Sequence, residues 1–176
     1  LDSQINRFKY SEVDASIDHI NNINNILSDD ETIYVFDRGY FCFRLLYEVF
    51  NKNFIFRLRS DFLKIEQKSL KSNDEMVNIE FTSRRNHLLK NSQEAKIFFK
   101  NNNINLRFVT IELSNGTKEV LVTNLTSDKM SYENIKELYH LRWNIETSYR
   151  TLKSQMKLEE FSGYLVDIIK QDIYIS

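Results

Sequence analysis

The sequence contains no proline and only three glycines in 176 residues. Loop punctuation therefore falls to Asn, Asp and Ser, whose short side chains hydrogen-bond their own backbone in turns, and element boundaries are blurred. A single cysteine, Cys42, excludes an internal disulfide and is in keeping with a reducing, cytoplasmic setting. No stretch approaches the roughly 20 apolar residues that a membrane span needs, and the N-terminus lacks the basic-then-apolar pattern of a secretory signal, so we expect no membrane partner. Charge of one sign is also missing. With 24 Lys and Arg against 25 Asp and Glu the net charge is −1, and any nucleic-acid reading must rest on local clusters. His19, His87 and His140 show no ligand spacing, so no zinc site is argued.

What is present is a chain of 41% hydrophobic and 28% charged residues, enough for one core with an insert. "LDSQI" is strand-like. Ser11, with Asp14 three residues on, has capping-box spacing, and Val13, Ile17, Ile20 and Leu27 recur at helical intervals, which predicts a helix over about 12–28. "TIYVF", residues 32–36, is the continuous apolar run of a strand covered on both faces, and it ends in Asp37-Arg38-Gly39. "YFCFRLLYEVFNKN" then reads as a helix and "FIFRLR" as the next strand, which together make a βαβ unit.

Residues 61–127 change character, with mixed charges and β-like runs at "VNIEF", "NLRFVTIEL" and "KEVLVTNL". The last two flank "SNGT", and Asn-Gly between alternating runs is a strong hairpin signal. The segment reads as an antiparallel β insert. Helical spacing returns from Ser131 to Lys157, and Gly163 is placed to stop it before a final short helix.

On that helix "YHLRWNIETSYRTLK" makes an unusual stripe. At about 100° per residue from Tyr139, Arg142 falls near −60°, Glu146 near −20° and Lys153 near −40°. Leu138, Leu141, Ile145, Tyr149, Leu152 and Met156 fall between about −80° and −160°, a neighbouring apolar stripe that we expect to be buried. His140, Asn144, Thr147, Ser148, Thr151 and Ser154 cover the rest. The charged seam would then run along the border of the core. Asp37, at the carboxyl end of a buried strand, occupies the kind of position where open α/β sheets bind ligands.

Tyr139-x2-Arg142-x3-Glu146-x6-Lys153 resembles the Tyr-Arg-Glu-Lys signature of bacterial insertion-sequence transposases of the IS-four family, part of the DDE transposase and integrase superfamily. "DRGYF" looks like that family's second-Asp motif, "FIFRLRSD" like the strand after it, and the β insert like the family's own, so the resemblance covers essentially the whole chain. It implies an α/β fold of ribonuclease H-like type, with core segments at 1–60 and 128–176 around an insert at 61–127. It also implies two divalent cations, Mg²⁺ or Mn²⁺, about 3.5–4 Å apart, activating the attacking oxygen and stabilising the leaving one. Asp37 and Glu146 are the implied catalytic metal ligands. Tyr139, Arg142, Lys153, Arg57 and Arg59 are implied contacts to DNA phosphates, and Trp143 adjoins them. The partners implied are double-stranded DNA, at transposon ends and target, and a second protomer in a synaptic complex. Close relatives pass through a DNA hairpin.

One departure follows. The family's first catalytic Asp should lie on the first strand, ahead of Leu1, and Asp2 falls on what would be the third strand. We therefore expect an N-terminally incomplete catalytic domain that is inactive alone. Plainer readings stand beside these. Arg142 and Glu146, four apart, could be an exposed surface pair worth about 0.3–0.5 kcal/mol. Tyr139 and Trp143 could be core packing, Arg57 and Arg59 a solvated strand edge, and "TSRRNHLLK" a solvated loop. A fragment that at most binds DNA, or another metal-dependent nuclease on the same scaffold, is the functional alternative.

Overall fold

The computed structural model describes residues 11–23, 32–89 and 92–155, with side chains described for all of these but 143–147, 149, 150 and 152–155. The expected strand at "LDSQI" with Asp2, the extension of the first helix to 28, Met156 and the last helix after Gly163 lie outside the described residues. The chain divides into two compact units, one of residues 11–132 and the other containing, among the described residues, 133–155.

The first unit opens with helix α1, Glu12–Ile23. Its start shows the Ser11 half of the expected capping box: the Asp14 N–H donates to Ser11 Oγ at 3.1 Å, while the Asp14 carboxylate accepts from the Ser11 hydroxyl at 2.5 Å. Arg44 reaches across from the next helix to Asp14 at 2.5 Å. The Ser11 hydroxyl first, and Arg44 after it, hold the Asp14 carboxyl below its ordinary value.

Strand β1, Ile33–Phe36, helix α2, Phe43–Val49, and strand β2, Asn53–Arg57, form the βαβ unit, with β1 and β2 parallel and Phe36 opposite Phe56. Helix α2 is shorter than expected at both ends. The Tyr40 N–H closes a turn onto the Asp37 carbonyl at 3.0 Å, and Cys42 caps the helix by accepting the Leu45 N–H on Sγ at 3.4 Å, so helical geometry begins only at Phe43. Asn53 already belongs to β2. Burial pushes the Cys42 thiol above its ordinary value, which leaves it a neutral cap.

Strands β3, Asp74–Ile79, β4, Ile104–Glu112, and β5, Lys118–Thr123, continue the same sheet in the order β1-β2-β5-β4-β3. Every pair beyond β1 and β2 is antiparallel. The β4–β5 turn falls on "SNGT": the Leu113 N–H bonds the Thr117 carbonyl at 2.9 Å, and Gly116 takes φ 78°, a left-handed value that glycine adopts without steric penalty. The stretch between β2 and β4 also folds three short helical pieces that no long period announced: α3, Lys64–Ser69, a 3-10 turn, Ser83–Leu89, over the "TSRRNHLLK" cluster, and α4, Gln93–Asn101, capped by Ser92. Pieces of two or three turns carry too few apolar repeats to show a period.

Strand alternation sends Tyr34, Phe36, Phe54, Phe56, Leu106 and Phe108 to one face, where they pack with α1, α2 and α4 through Ile17, Ile20, Leu46, Val49 and Phe99. Phe36 stacks on Phe56 at 4.4 Å between centroids, and Phe43 meets Phe81 and Phe99 edge-on at 5.2 and 5.3 Å. On the other face Ile55, Val109, Ile111, Leu121 and Thr123 are equally buried. Burial on both faces holds for β2, β4 and β5 in the middle of the sheet; in β1, at the sheet's edge, Tyr34 and Phe36 are buried while Ile33 and Val35 are only half-buried, so the double cover expected of "TIYVF" is incomplete.

Helix α5, Tyr132–Gln155, starts from a firmly fastened turn. Arg107 on β4 grips Asp74 with Nε and Nη2, both at 2.6 Å, while its Nη1 donates to the carbonyls of Leu125 at 3.3 Å and Met130 at 2.6 Å. The Tyr132 hydroxyl donates to the Thr110 carbonyl at 3.0 Å.

Phe43→Ala empties the centre of the ring cluster, and urea denaturation should show a loss of about 3–5 kcal/mol. Asp14 titrates lower in the folded state, so its contribution is present above the unfolded value near 3.8 and lost as pH falls through the lower folded value. Thermal melts should show wild type above Asp14→Asn at neutral pH, with the gap closing in that acid window.

Candidate active site

Asp37 is the first residue after β1, and Arg57 is the last of the parallel strand β2. Each lies one step beyond the Phe36–Phe56 pair, so the two side chains leave the sheet side by side on the same face. Antiparallel pairing of β5 with β2, Leu121 opposite Arg57, brings Glu119 to that same face and end, two residues away.

The guanidinium bridges both carboxylates. Arg57 Nη1 donates to Asp37 Oδ1 at 3.2 Å, and Nη2 makes a short ion pair with Glu119 Oε1. Exposure rises along the row: the Glu119 side chain is 2% exposed, Arg57 12% and Asp37 39%. Glu119 Oε2 and Arg57 Nε are buried with no hydrogen-bond partner among the described residues, so the pair depends on its single short contact. Close by, burial first, and then the charges of Glu12 and Asp37, push the Tyr40 phenol above its ordinary value, so the hydroxyl stays neutral.

The strand expected over "FIFRLR" includes Arg59 with Arg57, but β2 ends at Arg57. Arg59 turns instead to its own loop, where Nε and Nη2 hold both Asp61 oxygens at 2.9 and 2.6 Å in a half-exposed pair. The cause is Asp61 two residues downstream, which offers a bidentate partner as soon as the strand is left.

Among the described side chains of α5, Ile135, Tyr139 and Arg142 are the buried residues, near −40°, 0° and −60° on the helix, whereas Leu141, near −160°, is 52% exposed and Leu138 half-buried. In this first part of the helix, burial therefore falls on the side of Tyr139 and Arg142 and not on that of Leu138 and Leu141. His140, Ser148 and Thr151 are exposed, as the wet face requires. Arg142 lays its guanidinium over the Tyr139 ring, 4.9 Å from the centroid. With Tyr139 0% and Arg142 8% exposed, the exposed-surface-pair reading of Arg142 is set aside, and the packing reading of Tyr139 gains its observation. Trp143, Glu146 and Lys153 lie on α5, and their side chains are outside the described residues, as is any approach of Glu146 to Asp37.

A family model described as transposase DDE domain matches residues 10–175. The chain belongs to that family. No curated protein and no solved structure matches the chain. Membership of the transposase DDE domain family implies a transposition-related nuclease function, a DNA substrate and the use of divalent metal ions. No helix among the described residues is long and apolar enough to cross a membrane.

Mg²⁺ takes hard oxygen ligands and keeps several waters, so a few carboxylates suffice to hold it. Asp37, open at the sheet's end, fits the role of one such ligand. Glu119 does not, because its carboxylate is sealed and committed to Arg57. Among the described residues no three His, Cys, Asp or Glu side chains group to hold an ion, so Asp37 would need a carboxylate from elsewhere in the chain.

Sequence reasoning missed Glu119. Within "KEVLVTNL" it alternates with Leu121 and Thr123, and a charge in the phase of buried positions was the available signal. Arg107, inside an apolar run, carried the same mark.

Arg57→Met would leave Glu119 as a buried uncompensated charge, and chemical denaturation should register a loss of about 3–5 kcal/mol. Arg59→Met, whose partner is exposed, should leave the midpoint nearly unchanged.

Proposed function

We propose that this domain performs Mg²⁺- or Mn²⁺-dependent strand cleavage and strand transfer at insertion-sequence ends, as a transposase of the IS-four group with a ribonuclease H-like core. The observation that carries the reading is the pairing of two features. An aspartate leaves a parallel strand in the "DRGYF" motif, and on α5 the buried arc of Ile135, Tyr139 and Arg142 coincides with the stripe on which the Tyr-Arg-Glu-Lys spacing sets positions 146 and 153.

In this reading Asp37 and Glu146 are the carboxylates that would hold a divalent cation, which when bound supplies activation of the attacking oxygen and charge relief at the leaving one. Residues 61–127 are the insert between the two core segments. Tyr139 packs beneath Arg142, and the two fix the face of α5 on which position 146 lies. Lys153 and Arg59 meet the phosphates beside the scissile one, and the Arg59–Asp61 pair is exposed enough to exchange its carboxylate for a phosphate; Arg142, 8% exposed over the Tyr139 ring, would have to leave that ring to reach one. Arg57 is held between two carboxylates, so a phosphate role for it would require release from Asp37. Double-stranded DNA, at element ends and target, is the substrate, and two protomers would act together on paired ends.

The test is cleavage by the active transposase on duplexes carrying the element's inverted-repeat ends and on random duplexes. Asp37→Asn and Glu146→Gln should each lower cleavage by about a thousandfold or more, with circular dichroism and DNA binding retained. Undiminished cleavage in either variant would remove that residue from the metal site. Equal cleavage of end-bearing and random duplexes would favour a plain metal-dependent nuclease.

A further inference from the structure

The row Glu119, Arg57, Asp37 poses a problem for a metal-binding aspartate. A guanidinium 3.2 Å from Asp37 Oδ1 is a resident cation, and like charge opposes the arrival of another. Alone with Arg57, Asp37 would form a neutral pair and attract a divalent ion weakly. The chain also buries a carboxylate at this place, which is expensive for a position that a leucine would fill. The Glu119 side chain is not required for register: Glu119 pairs with Ile111 through its backbone, which any residue supplies, and β2–β5 pairing runs through Leu121, Val122 and Thr123.

We infer that Glu119 is the counter-charge that cancels Arg57, so that Arg57 can orient Asp37 without neutralising it and the row keeps a net negative charge for a divalent cation. The inference rests on the proposed metal role of Asp37 and concerns positioning, since Glu119 itself touches no metal or substrate.

Three features of the row support it. Glu119 takes the shorter of the two contacts with Arg57, and its side chain is 2% exposed, so little water screens the attraction. Asp37 holds Arg57 at the longer 3.2 Å and is 39% exposed, which leaves its carboxylate approachable from solvent. Two carboxylates and one guanidinium sum to one negative charge, and the sealed member is the one that spends its charge on the cation. An ion pair serving architecture alone would need Glu119 and Arg57 but would have no reason to include the half-exposed Asp37.

The experiment is Mn²⁺ titration of the protein, followed by electron paramagnetic resonance of the free ion, with circular dichroism as the control for folding. Asp37→Asn should abolish the site; retention of Mn²⁺ affinity there would overturn the metal role of Asp37 itself. Given that loss, Glu119→Gln, which keeps shape and removes charge, should bind Mn²⁺ about tenfold more weakly than wild type, and unchanged affinity would overturn the inference while leaving the metal role of Asp37 standing. The double variant Arg57→Gln/Glu119→Gln removes cation and counter-charge together and leaves no buried charge unpaired, so it should fold even if Glu119→Gln does not. Its Mn²⁺ affinity should lie within about threefold of wild type, because Asp37 again carries the row's one negative charge. A double variant that binds Mn²⁺ as weakly as Glu119→Gln, or about tenfold below wild type where the single variant does not fold, would sink the counter-charge role.

Discussion

The pairing of β5 with β2 is the constraint on which the rest of the first unit depends. Up to β2 the chain is a parallel βαβ unit; from β5 outward the sheet is antiparallel, and β2 serves both halves. The seam between them is stitched beyond the ladder itself. The Thr123 hydroxyl donates to the Phe54 carbonyl at 2.5 Å, Asn124 accepts the Phe54 N–H at 3.2 Å and donates to the Lys52 carbonyl at 2.7 Å, and the Leu58 N–H reaches Val120 past the end of β2. A slip of one residue here would turn Leu121 and Thr123 to the opposite, aromatic face and withdraw Glu119 from Arg57. Register and site electrostatics are therefore one quantity, set by the same few hydrogen bonds.

How much of this was legible depended on whether the signal was local. The βαβ unit could be read because its strands are short unbroken apolar runs, even though β1 is fully buried on one face only, and because Ser11 and Asp14 mark a helix start with their own side chains. The β4–β5 hairpin could be read from Asn115-Gly116, since only a few residue types accept a left-handed turn position. The joining of residues 74–123 to the βαβ unit in one sheet could not, because which strand pairs with which is decided by contacts about 65 residues apart. The helices α3 and α4 escaped for the opposite reason, being too short to show a period.

The candidate site divides in the same way. Asp37 was visible from its place after a buried strand, and the stripe of Tyr139 and Arg142 from helical geometry. Which stripe of α5 faces inward was not. Hydrophobicity favoured Leu138 and Leu141, yet among the described side chains of α5 it is Ile135, Tyr139 and Arg142 that are buried. A helix face is chosen by what it must meet as well as by how apolar it is, and a tyrosine ring with an arginine laid over it can bury as much apolar surface as a leucine while bringing a charge inside. Counting leucines treats Arg142 as solvated by default, which is the step that fails when an aromatic ring takes over part of its solvation.

Two guanidinium groups of the sheet, the buried Arg107 and the mostly buried Arg57, show what enclosing charge does for it. Arg107 is nearly satisfied: four contacts consume its donors, two on one carboxylate and two on carbonyls, and its effect is to fasten the turn before α5. Arg57 is less so, with two carboxylates competing for it and Nε left without a partner among the described residues. Buried ion pairs contribute little net stability against apolar replacements, so stability alone accounts for neither. Arg107 can be explained by the geometry it imposes on a chain turn. Arg57 fixes no turn; its two partners differ mainly in how far each is open to water. A cation shared between a sealed carboxylate and an open one stabilises the fold less than a fully satisfied pair would, so Arg57 does more to link the ends of β1, β2 and β5 than to strengthen the fold.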